Sequence, residues 1–159
     1  LLCGDLAYVF RLCINNNFHT YEEYMAQTTE IKVRGYHLDL YGHVNNARYL
    51  EFLEEARWAL VDESGGFEWF TSERLALVIS RVDIRYKRPA TMGDVLKIET
   101  RLTHIGEKEG IINQRILRLD NDKLVAEADV TFAVISAKSP GALPLEGELA
   151  ERLQGMMHV

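Results

Sequence analysis

The groups best suited to act on a reactive carbonyl are gathered in one short stretch, Tyr36 to Asn46 (YHLDLYGHVNN), which holds His37, Asp39, His43, Asn45 and Asn46. The stretch is rich in turn formers and has no apolar period, so it reads as a loop. A helix-forming segment follows at once. Asn45 or Asn46 can cap it, because a short polar side chain accepts hydrogen bonds from the first free backbone N–H groups. A loop that runs into a helix amino terminus presents amide donors, and these can hold a carbonyl oxygen that is gaining negative charge. A carboxylate beside them, that of Asp39, could activate water or attack the carbonyl carbon directly. Together these are the parts for splitting an activated ester. Each residue also has a plainer reading. Asp commonly bonds its own backbone in loops, so Asp39 is equally a turn former. His43 could be a packed histidine, His37 an exposed one, and the two asparagines caps and nothing more. The spacing of His37 and His43 lacks the i,i+4 pairing and the glutamate of a zinc hydrolase, so no metal site is read here. Further on, Glu54 lies one turn before Trp58 and near Arg57. It reads either as half of a local ion pair or as a carboxylate directed at the helix start, where it would orient water or a loop group.

The elements that must hold this loop are legible from hydrophobic periodicity. Ile31, Val33 and Gly35 alternate with Lys32 and Arg34 as a short strand. The helix after the loop runs from about Ala47 to Val61. Leu50, Leu53, Arg57 and Leu60 recur at three- and four-residue spacing, Tyr49, Phe52 and Ala56 widen the apolar face, and Arg48, Glu51, Glu55 and Asp62 fall mostly outside it. Ser64, Gly65 and Gly66 end it. Phe67 to Arg74 reads as helical or irregular. Four strands are expected next, over Leu75 to Arg88, Asp94 to Thr103, Ile111 to Leu119 and Leu124 to Ile135. The first carries Val82, Ile84 and Tyr86 on one face and is stopped by Pro89. The second alternates Leu96, Ile98, Thr100 and Leu102 with Lys97, Glu99, Arg101 and Thr103, and the third carries Ile112, Gln114 and Ile116 on one face. The last carries Leu124, Ala126, Ala128, Val130, Phe132 and Val134 on one face, with Glu127, Asp129 and Thr131 opposite. Short turn-like links favour antiparallel pairing. Leu145 to Met157 is a second amphipathic helix. One long helix on a sheet of about five strands makes an α+β domain. That helix can cover only one face of the sheet, so the other face is wet or covered by a second copy, and self-association is expected.

Composition narrows the function classes. The 159 residues suit one domain, and 47% hydrophobic content suffices for a core. A net charge of -6 argues against a nucleic-acid backbone as partner. Cys3 and Cys13 suggest no disulfide framework, and no Cys/His cluster has metal-ligand spacing. No run of roughly 20 apolar residues occurs, so no stable membrane insertion is expected, and the cytoplasm is the default location. Residues 1–24 have no stable period and read as an extension, disordered or not native to the domain. Met25 is a natural start for a domain over 25–159.

The stretch GYHLDLYGHVNNARYLEFLEEAR, residues 35–57, resembles the opening of the 4-hydroxybenzoyl-CoA thioesterase-like family, and most of all its bacterial long-chain acyl-CoA thioesterase branch. RVDIRYKRPATMGDVLKIET, residues 81–100, is similar to the same family. The resemblance covers the chain from Ile31 to the tail. It implies the hotdog fold, an antiparallel sheet wrapped around one central helix, assembled as homodimers or homotetramers with active sites between subunits. It implies hydrolysis of a fatty acyl-CoA, of a long-chain type, with no metal and no bound cofactor. The family's catalytic aspartate falls on Asp39, acting as general base or nucleophile. Backbone amides near Gly42, His43 and Val44, at the helix start, fall where the thioester carbonyl is polarised, and Glu54 matches an acidic helix position of related members. For substrate, Tyr49, Phe52 and Leu53 are expected to line an apolar slot for the acyl tail. Cations among Arg81, Arg85, Lys87 and Arg88, with Arg85 and Arg88 foremost, are expected to meet the anionic coenzyme A head, although a solvated strand face explains such a run as well. The HVNN form also resembles part of the acyl-carrier-protein thioesterases, which are usually double-hotdog chains, so a carrier-protein thioesterase stays an alternative. So does a non-catalytic acyl-CoA-binding protein of the same fold.

Overall fold

The structure is a computed structural model and describes residues 26–158. The expectations for residues 1–24, for Cys3 and Cys13, and for a start at Met25 lie outside the described residues. Strand β1 is Gln27–Lys32, and a single 3-10 turn, Gly35–His37, follows it. The central helix α1 is Asn46–Glu63 and a short helix α2 is Gly66–Ser72. Strands β2 (Leu75–Tyr86), β3 (Val95–Ile105), β4 (Glu109–Arg118) and β5 (Leu124–Ser136) come next, then a short β6 (Ser139–Ala142) and helix α3 (Gly147–Met156). The strands lie in the order β1-β3-β4-β5-β2, every pairing is antiparallel, and β6 adds to β5. Register shifts in β2–β5 at Ile79/Arg81 and in β3–β4 at Leu102/His104 mark bulges, which bend strands and help an open sheet curl. This is the hotdog fold.

The core forms where the apolar face of α1 meets the inner face of the sheet. Leu53, Ala56 and Leu60 of α1 are buried with Leu96 and Ile98 of β3, Ile112 and Ile116 of β4, and Val130, Phe132 and Val134 of β5. The period-2 readings hold for β3, for β4 and for β5 from Ala126 to Val134, but Leu124 is only half-buried while Val125 beside it is buried, at the point where the β4–β5 register slips. Gln114 shares the buried face of β4 with its two isoleucines. Its Nε2 donates to the Leu53 carbonyl of α1 (2.9 Å) and to Thr100 Oγ1 of β3 (3.1 Å), which fixes the helix against the sheet. The outward face is wet and laced with ion pairs, among them Arg115–Glu99 at 3.1 Å and Lys97–Asp122 at 2.8 Å. Helix α3 buries Leu149, Leu153 and Met156 and packs on β3.

Three features depart from the sequence reading. Leu50, expected on the buried stripe, is 42% exposed, because Tyr49 and Phe52 turn the buried face of α1 away from it. Strand β1 ends at Lys32, so Val33, although buried, lies in the connection to the 3-10 turn rather than in the strand. Strand β6 has no apolar alternation (SPGA), and it forms because the chain reverses after β5 and finds that strand's free backbone groups.

Candidate active site

The loop between the 3-10 turn and α1 folds on its own aspartate. Asp39 Oδ1 accepts the backbone N–H of Tyr41 (2.8 Å) and of His43 (3.2 Å). The Asp39 N–H donates to the His43 carbonyl at 2.8 Å, and the Gly42 N–H donates to the Asp39 carbonyl at 3.1 Å. Gly42 takes φ +74°, a left-handed conformation that closes this turn and favours glycine. The Val44 N–H donates to the Ala90 carbonyl at 2.8 Å, which ties the loop to the segment after β2. Asp39 is therefore the turn former of the plainer reading. The turn uses only one carboxylate oxygen, and Oδ2 has no hydrogen-bond partner among the described residues.

The amides expected to polarise a carbonyl are redistributed. Those of Gly42, His43 and Val44 are all engaged, because the tight turn consumes them. At the start of α1, Asn45 caps the helix by accepting the Ala47 N–H at 2.9 Å, and the Arg48 N–H donates to the Asn45 carbonyl at 2.9 Å. The Asn45 N–H donates to the His37 carbonyl at 2.9 Å. The Asn46 N–H is left without an acceptor among the described residues, at the positive end of the helix dipole. Asn45 is thus the cap, and Asn46 the first residue of the helix.

Asp39 and Asn46 share an open cleft of about 360 Å³ with His43, Tyr49, Tyr86 and Arg88. The Tyr86 hydroxyl donates to the Asn46 carbonyl at 3.0 Å, and its ring lies 5.5 Å from that of Tyr49, so the end of β2 is pinned to the first turn of α1. Burial raises the pKa of both phenols, which keeps them protonated as donors. Lys87 and Arg88 stand at the cleft, with Lys87 paired to Glu127 at 3.1 Å and Arg88 donating to the Leu124 carbonyl at 2.9 Å. His37 is not an exposed histidine. It is buried edge-on against Phe52, and its Nδ1 accepts the Arg34 N–H at 2.9 Å. Burial, helped by Arg48, lowers its pKa.

Other expected site residues lie elsewhere. Phe52 and Leu53 are core residues under the loop and the sheet, because their helix positions point inward, and they do not line the cleft. Arg85 points to the outer face beside Asn113 and Glu127, since strand alternation turns it away from Tyr86. Arg81 lies against Asp83 at 3.6 Å on that exposed strand. Glu54 forms no ion pair with Arg57, whose Nη1 donates instead to Gln114 Oε1 at 2.9 Å. Glu54 and Arg57 line a second, apolar groove further down α1, away from Asp39. The sequence reading took Tyr86 for an ordinary strand residue, and a pairwise contact between distant elements leaves no periodic trace. The Arg57–Gln114 pair did leave a signal, a polar residue on the apolar face of each of two elements.

The family is settled by comparison with known proteins. Residues 33–153 match the model of the Thioesterase-like superfamily. The chain belongs to that superfamily. It is 50% identical over 129 residues to the long-chain acyl-CoA thioesterase FadM of Escherichia coli (strain K12), covering 81% of this chain and 98% of that protein. It is 31% identical over 109 residues to the acyl-CoA thioester hydrolase YbgC of Escherichia coli O157:H7, covering 67% of this chain and 81% of that one. Among solved structures, the probable thioesterase YbaW from Escherichia coli superposes with a TM-score of 0.79 at 49% identity, over 82% of this chain and 98% of that one. The superfamily match takes in the whole cleft, from the Asp39 turn to Pro89.

Proposed function

We infer that the chain hydrolyses fatty acyl-CoA by the groups of this cleft: it releases a free fatty acid, of long-chain type, and coenzyme A. The observation that carries the reading is a carboxylate oxygen without a partner, Asp39 Oδ2, in the same cleft as an amide without an acceptor, Asn46 N–H, among the described residues. Asp39 Oδ1 is held by two amides, which fixes the carboxylate and leaves Oδ2 to work. As general base, Oδ2 takes a proton from water while the water oxygen bonds the thioester carbon. As nucleophile, it bonds that carbon itself, and water later cleaves the anhydride. In either case negative charge builds on the carbonyl oxygen, where the Asn46 N–H and the helix dipole oppose it. The C–S bond then breaks and the coenzyme A sulfur leaves, taking up a proton. Membership of the superfamily supports a thioester as the bond broken. The 50% identity to a protein named as a long-chain acyl-CoA thioesterase supports the acyl and coenzyme A halves. Lys87 and Arg88 at the cleft give a coenzyme A phosphate a cationic approach on a chain of net charge -6.

The same reading has the enzyme working in the cytoplasm as a homodimer or homotetramer. No helix among the described residues is long and apolar enough to cross a membrane. Strand β2 is an outer strand of the sheet and flanks the cleft, so a second copy pairing along it would wall the site. The test of the activity is release of free thiol from a panel of acyl-CoAs, short, long and aromatic, with an acyl-carrier-protein thioester beside them. Release is expected to be fastest from the long-chain coenzyme A esters. No release above background from any acyl-CoA contradicts the reading.

A further inference from the structure

The second groove lies between the later half of α1, helix α2 and the first half of β2. It holds about 220 Å³, and its apolar wall includes Trp58, Phe67, Phe70, Leu75 and Leu77. Helix α1 and strand β2 run in opposite directions along one seam. Their Asn46 and Tyr86 ends meet at the cleft, and their Glu54–Val61 and Leu75–Ile79 stretches meet at the groove. At 1.5 Å per residue, Glu54 lies roughly 12 Å down α1 from Asn46, a distance that a long acyl chain spans and a short one does not.

Three polar side chains interrupt the apolar wall, and Thr71 spends its hydroxyl on the Phe67 carbonyl at 2.8 Å, which leaves Arg57 and Glu54. Arg57 is half-buried, donates one hydrogen bond to Gln114, and has no carboxylate within ion-pair distance among the described residues. A guanidinium has five N–H donors, so most of its capacity is unspent. Glu54 lines the same groove without an ion pair among the described residues. Burial works against the charge on Arg57, and Glu54 only partly supports it. A plain alkyl chain laid in this groove would strip water from the guanidinium and return no hydrogen bond, which is a penalty. An oxygen on the chain removes that penalty. A hydroxyl can accept from Arg57 and donate to Glu54, and a carbonyl can accept from Arg57 alone.

We propose that this groove is the acyl-chain subsite and that Arg57, with Glu54, selects acyl chains carrying an oxygen function, a hydroxyl above all, over plain chains of the same length. The proposal rests on the acyl-CoA reading above. A site built to hydrogen-bond a substrate oxygen rejects the analogue that lacks it far more strongly than an apolar slot rejects one extra methylene.

The experiment compares octadecanoyl-CoA with its hydroxylated counterparts, one bearing the hydroxyl near the thioester and one near mid-chain, and with a mid-chain oxo ester, as kcat/KM. Hydrolysis of the plain ester tests the acyl-CoA reading, and the ratio between esters tests this inference. A preference of about 10-fold or more for a hydroxylated ester is expected, largest for the mid-chain one and carried by KM. In Arg57→Met the ratio is expected to fall towards one. Glu54→Ala, on an exposed helix position, is expected to lower the hydroxyl preference and spare the oxo preference, and it carries the test should Arg57→Met not fold. Binding of the free hydroxylated and plain fatty acids, read from the fluorescence of Trp58, gives the same comparison without turnover. Equal kcat/KM for plain and oxygenated chains, or a preference that survives both substitutions, overturns the proposal.

Discussion

At the scale of single residues, the loop before α1 divides its work between holding shape and offering chemistry. Asp39 does both, with Oδ1 closing the turn and Oδ2 unengaged among the described residues. The residue types and their place before a helix were legible in the sequence. The division of the amides was not, because it depends on which carbonyl each N–H meets after folding. His37 illustrates the same limit. Its neutral form accepts the Arg34 N–H and packs on Phe52, and burial lowers its pKa from the ordinary 6.5. Below about pH 6.5 the unfolded chain therefore takes up a proton that the folded chain resists. Folding stability should fall as the pH drops through that value and level off once folded His37 itself protonates. Urea midpoints measured between about pH 7 and about pH 5 should decline less in His37→Gln than in the native chain. Parallel declines would contradict this account of His37.

At the scale of elements, alternation and helical period located nearly every strand and helix, since each of β3, β4 and β5 buries one face and wets the other. What they missed is local and pairwise. Strand β6 exists only because β5 offers an edge, and Leu50 is exposed because the neighbouring turn of α1 sets which side faces inward. Packing between strands also fixes residues that no period marks. Gly110 of β4 sits opposite Phe132 of β5, and a Cβ there would run into the buried Phe132 ring. Gly110→Ala should cost about 1–3 kcal/mol in a denaturant melt, because the ring cannot leave its packed position without strain. A melt indistinguishable from that of the native chain would show that the ring has room to move.

At the scale of the whole molecule, the sheet is covered unequally. Helix α1 fills the inner face, charged pairs cover the outer face, and the 12-residue strand β2 forms an outer strand whose Ile79, Val82 and Tyr86 are all more than a third exposed. A long outer strand with apolar side chains is a ready template for pairing with another chain, and natural proteins seldom leave one open. Light scattering of the purified chain should give the mass of a dimer or larger. Val82→Lys, which places a charge on that strand, should lower the mass and the activity together, whereas an active monomer would contradict an oligomeric enzyme. The central claim, that this cleft breaks a thioester with Asp39, is tested most directly by turnover of palmitoyl-CoA in Asp39→Asn. Asparagine retains an oxygen to close the turn, so the variant should fold. The account expects its kcat to fall by at least ~10²-fold with an unchanged melting temperature, and turnover near that of the native chain would contradict it.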